Sequence, residues 1–115
     1  FAGGAAGAEL DVADVALGTP AHALIVASSE THSQAYWIAP EETLFLHVGT
    51  TGDVNRRVRA DLVFYETPNG GAVFSTGSIA WCAALPVAGC DNSVARLSGN
   101  VLRRFLDPAP FPPPA

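Results

Sequence analysis

Arg59-Ala-Asp-Leu-Val-Phe-Tyr-Glu-Thr-Pro-Asn-Gly-Gly-Ala-Val-Phe-Ser-Thr-Gly-Ser-Ile-Ala-Trp81 decides the fold. Two apolar runs rich in β-branched and aromatic residues, Leu62 to Glu66 and Ala72 to Ser75, flank Thr67-Pro68-Asn69-Gly70-Gly71. Pro68 presets φ for a turn, while Asn69, Gly70 and Gly71 tolerate positive φ, so the stretch predicts a β-hairpin. Neither run alternates cleanly between apolar and polar residues, which predicts burial on both faces. Such a hairpin needs helices above and below it. The fold class is therefore α/β, a layered sheet around a central hairpin.

Upstream, the turn residues Leu17-Gly18-Thr19-Pro20 lead into Ala21-His-Ala-Leu-Ile-Val-Ala27, a compact run that reads as a buried strand. Glu9-Leu10-Asp11 reads as an edge strand or a loop. Ser28-Ser29-Glu30-Thr31-His32-Ser33 is entirely polar and sits at the carboxyl end of the strand. Ligands of open α/β sheets gather at that edge, so this loop is the leading candidate site. From Gln34 to His47 two readings compete. Pro40 with Glu41 and Glu42 resembles the first turn of a helix, whereas Thr43-Leu-Phe-Leu-His-Val48 has strand composition; the helix from Pro40 is favoured.

Downstream, Asp91-Asn92-Ser93 supplies N-cap candidates for a helix over 92–106. Val94, Leu97, Val101, Leu102 and Phe105 fall on one face, and Arg103 and Arg104 suit the negative end of the helix dipole. The expected arrangement is a mixed sheet with strands near 22–28, 61–66 and 71–76, and this helix on one face. Its expected core is Leu24, Val26, Leu62, Phe64, Val73, Phe74, Ile79, Val94, Leu97, Val101 and Phe105. Residues 1–8 are expected to be a flexible lead-in, 9–107 a single α/β domain excerpted from a larger one, and 108–115 an extended Pro-rich tail.

The 115 residues allow one core. Apolar residues make up 49% and charged residues 15%, which leaves apolar surface available for another chain or segment. The net charge of −5 and the scattered arginines argue against nucleic acid. No apolar run is long enough to span a membrane, and a cytoplasmic protein is expected. The absence of methionine suggests a processed product or an excerpt. Cys82 and Cys90 read as two free, partly buried thiols, with a disulfide across the loop as the other reading. The Ser75-Thr76-Gly77-Ser78 stretch lacks the Gly-x-Ser-x-Gly elbow of a serine hydrolase.

Several stretches in order resemble one family: Glu9-Leu10-Asp11, Gly18-Thr-Pro, Ala27-Ser-Ser-Glu-Thr-His-Ser33, Val58-Arg-Ala-Asp, Glu66-Thr-Pro-Asn-Gly-Gly-Ala-Val-Phe-Ser75, Gly77-Ser-Ile-Ala-Trp-Cys82, Asp91-Asn-Ser-Val and Asn100-Val-Leu-Arg-Arg-Phe105. Together they are similar to the C-terminal region of the N,N-dimethylformamidase large (β) subunit family. The resemblance implies part of a layered domain like class I glutamine amidotransferases, and hydrolysis of the C–N bond of N-substituted formamides. It also implies a mononuclear iron whose ligands lie upstream of the matched region. None is assigned to Tyr36 or Tyr65, so no cofactor or metal ligand is expected in this chain. An acid on the nitrogen side of the reaction maps onto Glu30, with His32 beside it.

Read from the residues alone, Glu30 is a general acid/base candidate or a carboxylate capping a turn, and His32 a second one or a donor that orients the loop. His22, His47, Trp37 and Trp81 read as core or interface residues, Glu66 as a turn residue, and Cys82 as a packed thiol. Two functions remain in play. One is a portion of an amidohydrolase acting on a small amide, inactive alone and completed by the rest of its polypeptide or a partner subunit in an oligomer. The other is a non-catalytic interaction domain packing on a partner chain.

Overall fold

Pro68 and Gly70 set the hairpin. A computed structural model describes residues 4–39 and 49–114, and in it Thr67 to Gly70 forms the turn. Pro68 lies at its second position, Gly70 takes φ of 79°, and the Gly70 N–H donates to Thr67 O at 3.2 Å. Strands β2 (Ala60–Glu66) and β3 (Ala72–Ser75) run antiparallel from this turn, with Phe64 opposite Phe74 and Tyr65 opposite Val73. Strand β1 (Leu24–Ser29) lies on the other side of β2, giving the order β1-β2-β3. Every pairing is antiparallel, so the expected mixed sheet is corrected to an antiparallel one. A register shift between Ile25 and Ala27 puts a bulge at Val26.

Helix α1 (Ala80–Ala84) and helix α2 (Ser93–Leu106) follow the hairpin, with single 3-10 turns at Val15–Leu17 and Val87–Cys90. The core lies between one sheet face and these helices. Ala5, Leu62, Trp81, Ala84 and Val94 are buried there, and Ala27, Phe74, Leu85 and Leu97 pack around them. The opposite sheet face, with Asp61, Val63, Tyr65 and Val73, looks toward residues 11–20. Burial on both faces is confined to Ala60–Val63 of β2. Glu9 to Asp11 is a loop carrying one isolated bridge, Gly7 to Glu9.

Four expected core residues are on the outside. Leu24 is 61% exposed, Val26 42%, Ile79 62% and Phe105 42%. The layers that cover β2 do not reach as far as β1, and Ile79 precedes α1 on its outer side. Phe105 packs on the returning tail instead of the core, its ring 5.6 Å from that of Phe111. Cys82 and Cys90 are free but exposed, so partial burial is corrected. His22 is exposed, bonding Glu66 O at 3.0 Å, and Trp37 is half exposed. The choice between helix and strand after Pro40, and His47, lie outside the described residues.

Both ends of the described chain are tied to the hairpin or to the segment that follows it. Ser78 Oγ exchanges hydrogen bonds of 2.8 Å with the N–H and carbonyl of Gly7. At the other end, the Phe111 N–H donates to Gly70 O at 2.8 Å, its ring lies 5.8 Å from that of Phe64, and the Arg104 guanidinium stacks 3.8 Å above it. No helix of the described residues is long and apolar enough to cross a membrane.

Candidate functional site

Glu30 leaves β1 at its end, and Thr31 follows with φ of 61°. A β-branched residue rarely takes that conformation, and the strain costs about 1–3 kcal/mol. The resulting sharp turn folds His32 back over the strand end, where its Nε2–H donates to Ser29 O at 3.0 Å. The His32 ring also tilts against Tyr36 at 5.2 Å. Its Nε2 is thereby committed to holding the loop.

A second loop, 49–57, is laid against this one. Trp37 and Thr51 form an antiparallel bridge, the Gly52 N–H donates to Tyr36 O, and Gln34 Nε2 donates to Asp53 Oδ2 at 3.0 Å. Position 52 has no room for a side chain, since a Cβ there would lie 2.9 Å from His32 Cβ. The glycine lets the two loops touch. Between them opens a cleft of about 300 Å³ lined by Glu30, Thr31, Gly52, Asp53, Asn55 and Arg56. Hydrogen bonds from Thr51 and Gln34 hold the Asp53 carboxyl below the usual aspartate range. Glu30 is exposed and makes no hydrogen bond or ion pair among the described residues. It is therefore the uncommitted acid of the cleft, and Arg56 is a nearby cation. Such a pair of opposite charges suits a small polar ligand that presents both a donor and an acceptor.

Asp61 is the acid that sequence reasoning passed over. It is 1% exposed, and its carboxylate accepts from Ser28 Oγ, from the Ala13 N–H at 2.9 Å and from Arg59 Nε at 2.9 and 3.0 Å. Three donors hold the carboxylate, the Arg59 Nε–H shared between both oxygens, so Asp61 pins three segments together. The available signal was an acid inside an otherwise apolar strand, with an arginine two residues earlier on the same face. The carboxyl-edge rule that singled out the Glu30 loop applies to parallel sheets. In this antiparallel sheet the loop is distinguished instead by its pairing with residues 49–57.

Among the described residues no three His, Cys, Asp or Glu side chains converge as a metal site. Of the two expected site residues, His32 has its Nε2 spent on Ser29 O. Glu66 lends its carbonyl to His22, while Ser78 is consumed in clamping Gly7.

Residues 1–93 match a family model described as N,N-dimethylformamidase beta subunit-like, C-terminal. The chain belongs to this family. Two curated proteins named N,N-dimethylformamidase beta subunit, from Paracoccus aminophilus and from Alcaligenes sp, are each 44% identical to it over 110 residues. The aligned part is 96% of this chain and 14% of either relative. The chain thus spans a small part of the length of the dimethylformamidase subunits it matches.

Proposed function

We propose that this chain is the C-terminal portion of an amidohydrolase that cleaves the C–N bond of N-substituted formamides, with Glu30 handling the proton on the nitrogen side. The reading is carried by the 44% identity, over nearly the whole chain, to two proteins named as dimethylformamidase subunits. The place of Glu30 in the lining of the loop cleft supports the role given to it.

The chemistry needs such a group. Water adds to the formyl carbon, and the C–N bond breaks only as the nitrogen gains a proton, since an amide anion is a very poor leaving group. The products are formic acid and the amine. A carboxyl within hydrogen-bond reach of that nitrogen contributes about 10²- to 10⁴-fold. In this reading His32 is a positioning residue: its bond to Ser29 O fixes the turn that presents Glu30. The glutamine-amidotransferase-like layering belongs to the larger domain of which this chain is a part. In this reading the iron that the family resemblance implies is held by the rest of the subunit.

The test is made in the complete subunit. Glu30→Gln is expected to lower kcat for dimethylformamide by about 100-fold or more while leaving metal content unchanged, and the 115-residue chain alone is expected to give no turnover. Full activity of Glu30→Gln would overturn the site. It would favour the second reading, a non-catalytic packing domain, for which the exposed apolar residues Leu24, Ile25 and Val26 speak.

A further inference from the structure

We propose that β1 is an interior strand of a wider sheet in the complete protein, and that the strand beyond it comes from another part of the same polypeptide. The inference rests on the reading of the chain as a portion of a larger subunit.

The sheet ends abruptly at β1. Among the described residues its order, β1-β2-β3, leaves β1 bonded on one side only. Leu24, Ile25 and Val26 are 61%, 47% and 42% exposed, and the residues opposite in β2 fix their faces. Leu24 pairs with Phe64 on one face and Ile25 with Val63 on the other, so both faces of the edge are apolar and open. True edge strands are blunted with lysine, proline or inward charges, and Leu-Ile-Val-Ala-Ser-Ser contains none of these. The one such device present is the bulge at Val26, and it leaves Leu24 and Ile25 uncovered. Within β2, Leu62 and Val63 are 5% and 7% exposed. Burial therefore collapses across a single strand spacing.

The dimensions agree. The molecule measures 49 × 37 × 16 Å with a radius of gyration of 15.8 Å, against about 13 Å for a globular domain of this length. Its accessible surface is 7391 Å², against about 6,000 Å² for a compact protein of this mass. It is a slab with surplus surface.

The relatives indicate which occupant covers the edge. This chain corresponds to 14% of their length, so most of such a polypeptide is available to supply a strand. A strand on the same chain acts at an effective concentration in the millimolar range, which a second copy at ordinary concentrations does not match. The chemistry of β1 asks for a strand whose neighbours cover apolar side chains on both faces.

Hydrogen–deuterium exchange on the full-length subunit tests this. Both alternate sets of amides in residues 24–29 are expected to exchange about a thousandfold slower than in a free peptide, like those of β2, because only opening of the sheet releases them. That protection should survive dilution. Near-peptide exchange in one alternate set would overturn the proposal, and protection lost on dilution would overturn it in favour of a second copy. Amidase activity is read separately on the same sample. An active subunit with a fast-exchanging β1 defeats this inference alone, and an inactive one with a protected β1 defeats only the functional reading.

Discussion

The buried carboxylate of Asp61 is the residue on which most of the chain converges. It joins β1 through Ser28, the 11–20 loop through Ala13, and the segment leading into β2 through Arg59. Its backbone is held as well: the Asp61 N–H donates to Asp11 O, and a Cβ on Gly77 would overlap the Asp61 carbonyl oxygen. Removing one member of a buried pair leaves the other charge uncompensated. Asp61→Ala is therefore expected to cost about 3 kcal/mol by chemical denaturation, and a loss near zero would show that the hub is not structural. Asp53 is the opposite case, exposed at a loop clasp. Its folded pKa lies below the ordinary 3.8, so its contribution is present above 3.8 and fades as pH falls through the folded value. Wild type should exceed Asp53→Asn in stability at neutral pH, and the gap should close on acidification. A gap independent of pH would mean that the carboxylate charge plays no part in the clasp.

At the scale of elements, α2 begins on a residue that does two jobs. Asn92 Oδ1 accepts from the Ala95 N–H at 2.9 Å, the usual N-cap bond. Its Nδ2 also donates to the carbonyls of Ala84, Leu85 and Val87, the last at 2.7 Å, closing the end of α1 and the following turn. At an isolated N-cap, Asn and Asp are equivalent. Here Asp would turn a donor into an acceptor facing three carbonyls. Asn92→Asp is expected to destabilise the protein by about 1–3 kcal/mol, as measured by urea unfolding. Equal stability of the two would limit Asn92 to capping. The helix itself was legible from its caps and spacing, yet only Val94 of its apolar face is buried. Leu102 is 61% exposed, where the three described strands offer it no cover.

For the whole molecule, surplus apolar surface predicts behaviour apart from any catalysis. Leu24, Ile25 and Val26 on an open edge form a template for edge pairing. The chain produced on its own is therefore expected to self-associate, its light-scattering mass rising with concentration, whereas the full-length subunit should show a fixed mass. A monomeric isolated chain at all concentrations would argue against the open edge as an interface.

Local chemistry in the sequence determined the hairpin, its turn and the C-terminal helix. Pro68 and Gly70 set their own turn and Asn92 caps the helix it begins, so one sequence suffices to read those roles. The ordered motifs determined the family as well. Only tertiary structure decided the rest. The direction of β1 against β2, and hence an antiparallel sheet, depends on a connection of thirty residues between Ser29 and Ala60, which no local pattern encodes. The exposure of Leu24 depends on how far the covering layers extend. The split between a buried Asp61 and an exposed Glu30 was beyond the sequence for the same reason. Both are acids near a strand, and what separates them is whether Ser28 and Ala13, both far off in the chain, arrive around one of them.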